Sequence, residues 1–157
     1  MKTHTGYSTK HMQDIANRYM ASGEPWPATK QQMAEWVIRN SLWVPHPASL
    51  VDQCAEMLAR AMREEYFIDP QGRSVRAKHA ARVAKDGEQT SLWVDLRKDS
   101  REFLEIAFQQ RRQGVLADCR QLKVDVDSYN ENINTGQSIQ MVFDFTNDLL
   151  ELEAIAS

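Results

Sequence analysis

The chain has 157 residues, a hydrophobic fraction of 42% and a formal net charge of -3 at pH 7. These values fit one ordinary domain, or a small domain with an extension, and argue against disorder throughout. The acidic mean excludes wholesale coating of DNA or RNA but permits a local basic patch. Residues 1–59 carry five basic and five acidic side chains, residues 60–85 seven and three, and residues 86–157 seven and fourteen, so positive charge collects in the middle of the chain.

In chain order, STKHMQDIANRYMA (residues 8–21) places Met12, Ile15, Ala16, Tyr19 and Met20 at helical spacings behind Ser8 or Thr9 as a cap. Gly23 and Pro25 stop that helix. A second follows, with Thr29 as the cap, Gln32 in the reciprocal capping-box position, and Met33, Trp36 and Val37 on one face. Pro45 and Pro47 end it. A third helix is expected from about Ser49 to Glu65, where Leu50, Cys54, Met57, Leu58, Ala61 and Met62 form a broad apolar stripe.

The chemistry of the sequence then changes. Tyr66, Phe67 and Ile68 favour a strand, Asp69-Pro70-Gln71-Gly72 a turn, and Ser74, Val75 and Arg76 the start of a return strand. Residues Lys78 to Ala84 suit either a strand or a helical turn before Asp86-Gly87. SLWVDL then supplies Leu92, Val94 and Leu96 in alternation. In this stretch Arg73, Arg76, Lys78, Arg82 and Lys85 are candidate ligands for phosphate oxygens, with His79 assisting when protonated. Either backbone geometry gathers their charge on one solvent face.

Three short helices followed by small antiparallel strands and a basic loop resemble a winged helix-turn-helix DNA-binding fold over about residues 25–96. The resemblance lies in the order of elements and rests on no diagnostic motif. It implies a recognition helix around residues 48–64 and a phosphate-contacting wing around Pro70 to Gly87. The helix departs from the pattern: Asp52 and Glu56 stand near its start and Arg60 and Arg63 near its end. Contact through the wing is therefore expected over base reading by the helix.

The carboxy-terminal third reads as a long helical arm. Asp99 or Ser100 is the expected cap, with Glu102 at capping-box spacing from Asp99. Phe103, Leu104, Ala107 and Phe108 form a first stripe. Val115, Cys119, Leu122, Val126, Tyr129 and Ile133 then recur at steps of four and three, the seam of a coiled coil. This seam packs either on the domain or on a second chain, and Gly114 with the polar run Gln109 to Gln113 weakens the middle of the helix enough to permit a break into two. QSIQMVFDF suits a strand, and Gln140-Met141-Val142-Phe143 faintly resembles bacterial peptides that bind the DNA sliding clamp. NDLLELEAIAS is an acidic, amphipathic tail.

Catalytic and metal chemistry finds little support. DVDSYNENINTG begins like a calcium loop but has Tyr129 at a ligand position, Asn130 in place of the required Gly and Gly136 at the twelfth position. His4, His11, His46 and His79 form no HExxH arrangement, and Cys54 and Cys119 suit buried free thiols. The glycines form no phosphate-cradling loop. With no signal-like amino terminus and no apolar run of about eighteen residues, a cytoplasmic protein without membrane contact is expected.

The sequence thus predicts an α+β chain: a winged-helix-like domain over residues 1–97, a long helix, coiled-coil in pattern, over 98–134, and a strand with an acidic tail over 135–157. The expected function is non-catalytic DNA binding by a regulator, transcriptional or replication-associated, that acts as a homodimer on double-stranded DNA and needs no cofactor or metal. The alternative is a protein-interaction adaptor whose long helix or tail takes a protein partner.

Overall fold

A computed structural model describes residues 7–46 and 49–156; Pro47 and the side chain of Lys85 lie outside the described set. The chain is mixed helix and sheet and forms two compact units, the second beginning at Arg63. Among the described residues no helix is long and apolar enough to cross a membrane.

In the first unit, α1 (Thr9–Met20) starts where the Ser8 hydroxyl accepts the His11 N–H at 3.1 Å. Ile15 and Tyr19, one turn apart, are its buried residues. The Tyr19 hydroxyl donates to the Pro25 carbonyl at 3.0 Å, and its ring meets Trp36 edge-on at 5.4 Å. Helix α2 (Lys30–Arg39) opens on the expected capping box, with Gln32 N–H donating to Thr29 Oγ1 and Thr29 N–H donating to Gln32 Oε1. Val37 is buried on its inner face.

Helix α3 (Leu50–Arg63) has the predicted stripe, yet none of its residues is buried. Leu50, Met57 and Leu58 are exposed, and so is Cys54, which corrects its reading as a buried thiol. Periodicity fixes one apolar face of a helix but not what covers it.

In the second unit, β1 (Tyr66–Ile68) pairs antiparallel with β2 (Ser74–Arg76), with Phe67 opposite Val75. The turn between them is closed from Gly72 N–H to the Asp69 carbonyl at 2.9 Å. The Asp69 carboxylate also accepts the N–H groups of Gln71 and Arg73. Strand β3 (Lys78–Lys85) pairs with β4 (Glu88–Asp95) across Asp86-Gly87. Both turn residues have positive φ, 51° and 79°, as a two-residue hairpin requires. Residues 78–84 are therefore strand, and the single wing expected over Pro70 to Gly87 is divided between two hairpins. Ala77 joins them: its N–H donates to the Glu65 carbonyl, and its carbonyl accepts the Leu96 N–H.

Helix α4 (Arg101–Asn132) runs unbroken through Gly114. One glycine costs a helix only about 1 kcal/mol relative to alanine, which the flanking turns absorb. Its 32 residues span about 48 Å. Ser100 is the N-cap by position without a side-chain bond, and Asp99 turns back to accept the Asp95 N–H. Neither expected capping side chain caps the helix. The core between β3 and α4 is built from Ala81, Val94 and Ala107 with Leu104 against them. Two alanines facing each other let helix and strand approach closely.

Residues 138–145 form no strand, which corrects the strand expected of QSIQMVFDF. Asn130 holds them instead, donating to the Ile139 carbonyl at 2.8 Å and accepting its N–H at 3.0 Å. Helix α5 (Thr146–Ala156) ends the described chain.

Candidate nucleic-acid interface

The period of two along β3 decides where its side chains go. His79 and Ala81 point into the core, whereas Ala80 and Arg82 are exposed. Lys78 stands opposite Asp95, Ala80 opposite Trp93 and Arg82 opposite Ser91. The outer face of the hairpin thus mixes basic, small and aromatic groups.

At one end of that face a cavity of about 260 Å³ is lined by Arg63, Arg76, Lys78, His79, Trp93 and Arg111, among others. The Arg63 guanidinium lies 5.7 Å from the centre of the Trp93 ring, and that of Arg76 lies 6.0 Å from the Tyr66 ring. Arg76 Nε is buried without a hydrogen-bond partner. A buried guanidinium donor left unmatched costs free energy that an anion at this position would recover. Among the described residues, Arg63, Arg76 and Arg111 have no carboxylate partner.

Lys78 differs from its neighbours. Its ammonium bonds the Glu65 carboxylate, and that bond is the main reason Glu65 is held below the usual carboxylate range. Arg97 reaches Glu65 at 3.5 Å and Asp95 at 2.8 Å, and its hydrogen bonds hold the Asp95 carboxyl far below its ordinary value. This rim is neutralised internally.

His79 forms part of the cavity wall. Its Nε2 lies 3.0 Å from the Arg76 carbonyl, which only accepts, so Nε2 carries the proton. The ring packs edge-on against Phe108 at 5.1 Å. Burial, followed by the charges of Arg111 and Arg76, lowers its pKa. The imidazole is neutral at pH 7, and the protonated phosphate ligand expected of it is disfavoured.

Beside the cavity lies a wider hollow lined by Arg82, Gln89, Ser91, Gln109, Gln110 and Gln113. Ala80 and Gln110 border both, so the cationic cavity and the glutamine-lined hollow form one surface. Of the basic residues predicted for phosphate contact, Arg76 and Lys78 share the cavity and Arg82 sits in the hollow. Arg73 is held apart in the first turn, its Nε donating to Asp69 at 2.7 Å. Lys85 lies outside the described side chains. Sequence reading missed Arg63 and Arg111, which come from the end of α3 and the middle of α4. No local signal marks them, since packing alone brings them to β3.

The seam residues of α4 lie open: Val115 is 54% exposed, Leu122 44%, Tyr129 43% and Ile133 69%, while Cys119 and Val126 are half-buried. Comparison with protein-family models, with curated proteins and with solved structures finds no match.

Proposed function

We propose that this is a non-catalytic DNA-binding protein that seats a backbone phosphate in the cavity of Arg63, Arg76 and Arg111. The buried, unmatched Nε of Arg76 carries this reading, because such a donor is satisfied by an anion brought from outside. The neighbouring hollow supplies Arg82 for a second phosphate and glutamine amides that both donate and accept, a set suited to sugar and base edges. Phosphate contact dominates this interface. The order of three helices before two antiparallel hairpins along residues 1–97 is the element order of a winged-helix-like domain, with β3–β4 as the contacting hairpin.

A mobility assay over a salt series, on duplex and single-stranded DNA, tests the reading. The wild type binds at low salt with steep salt dependence, and Arg63→Ala, Arg76→Ala and Arg111→Ala together abolish binding. No binding by the wild type, or equal binding by the triple variant, overturns it.

A second reading, a protein-interaction adaptor, is favoured by the exposed apolar residues of α3 and of the α4 seam. A second chain, identical or different, would pack its helix there. Capture of a protein partner that survives the triple arginine change and is lost in Leu122→Glu distinguishes it.

A further inference from the structure

We propose that the open edge of β4 pairs antiparallel with β4 of a second copy, joining two β3–β4 hairpins into one sheet. The two edges of the hairpin are treated differently. Along β3, α4 approaches, and Gln110 occupies both main-chain groups of Arg82. Along β4, the outward groups belong to Gln89, Ser91, Trp93 and Asp95, the partners across the hairpin of Ala84, Arg82, Ala80 and Lys78. Asp95 is occupied, since Asp99 accepts its N–H and its carbonyl accepts those of Lys98 and Asp99. Among the described residues the outward N–H and C=O groups of Gln89, Ser91 and Trp93 have no partner.

Such edges are ordinarily blunted by lysine, proline, a bulge or a covering element. Strand β4 contains neither lysine nor proline, and its ladder with β3 runs without a bulge. Its charges suit a second copy of itself. With the two-fold axis at Ser91, Ser91 faces Ser91, Gln89 faces Trp93, Thr90 faces Leu92 and Glu88 faces Val94. Asp95 falls opposite Gly87, so no two acids meet. This register uses every free main-chain group. A shift toward the strand's carboxy-terminal end sets Gln89 against the occupied Asp95, and a shift the other way leaves Trp93 beyond the partner strand. Half-buried Trp93 and exposed Leu92 gain cross-strand neighbours on opposite faces.

An axis normal to the sheet keeps like faces on one side. Both copies of Arg82 and Trp93 therefore share a surface, although the pairing itself does not depend on the nucleic-acid reading.

The test uses the full chain with Cys54→Ser and Cys119→Ser. Adding Ser91→Cys gives rapid intermolecular disulfide formation under mild oxidation, because a directly opposed hydrogen-bonded pair sets Cα atoms about 5.5 Å apart, within bridging range. Adding Thr90→Cys instead gives none, since its counterpart is Leu92. By sedimentation the unmodified chain is a dimer, and Ser91→Pro, which removes an outward N–H, reduces it to a monomer with its circular dichroism retained. A monomeric wild type overturns the proposal, as do equal cross-linking at both positions and a dimer that survives Ser91→Pro but dissociates in Leu122→Glu. The last outcome assigns association to the α4 seam.

Discussion

Gln110 of α4 holds Arg82 of β3 by both of its main-chain groups: the amide oxygen accepts the Arg82 N–H at 2.6 Å, and the amide nitrogen donates to the Arg82 carbonyl at 2.7 Å. A side-chain amide thus stands in for one residue of an absent neighbouring strand. Asn130 repeats the device on Ile139. Gln110→Ala is expected to lower unfolding free energy by about 1–2 kcal/mol, the net worth of two hydrogen bonds partly shared with water. Urea titration shows it as a lower midpoint at unchanged slope, with faster exchange of the Arg82 amide.

The β3–α4 contact depends on small residues. Ala81 and Ala107 are fully buried against each other's elements, leaving no room for a larger side chain. Ala107→Leu is expected to destabilise the second unit by about 1–3 kcal/mol through overpacking. Thermal unfolding monitored at Trp93, in a chain whose other tryptophans are replaced by phenylalanine, reads that unit alone.

His79 makes stability depend on pH in a definite direction. Its folded-state pKa is lowered, chiefly by burial, while the unfolded value is near 6.5. Below about pH 6.5 the unfolded chain takes up a proton that the folded chain resists, so stability falls as pH drops from there toward the lowered folded value. Above both values the effect vanishes. Denaturant midpoints from pH 7.5 to 5 are expected to decline, with a shallower decline in His79→Gln. An equal slope in that variant shows that other groups are responsible.

Arg111 is the clearest test of the cavity, since it comes from α4 and has no carboxylate partner among the described residues. Arg111→Ala is expected to weaken DNA binding similarly across sequences and to reduce the slope of log affinity against log salt by roughly one. Because Arg111 also lowers the His79 pKa, the variant raises that pKa. Proton NMR of the imidazole checks this part without any ligand.

Local signals revealed local structure. The Thr29–Gln32 box and the Asp69–Gly72 turn are written in residues a few positions apart, and each forms as read, whereas the strand on the amino-terminal side of Asp86-Gly87 is decided only by its pairing with β4. Features that depend on packing were not legible in this way. Lys78 is as basic as Arg76 in sequence, but only the fold brings Glu65 to neutralise it. His79 looks like part of a charged run until β3 turns it inward against Phe108. The basic surface was therefore legible as a region, whereas its members Arg63 and Arg111 depended on how the end of α3 and the middle of α4 meet the sheet.

The second hairpin turns on two residues, and the return contact from Gln110 to Arg82 spans only 28 positions. Chains assembled from such short-range contacts lose little loop entropy on closing and fold quickly. During synthesis, the β3–β4 sheet can acquire its helical cover as soon as Gln110 clears the ribosome. The distal half of α4 is then added to a structure already formed.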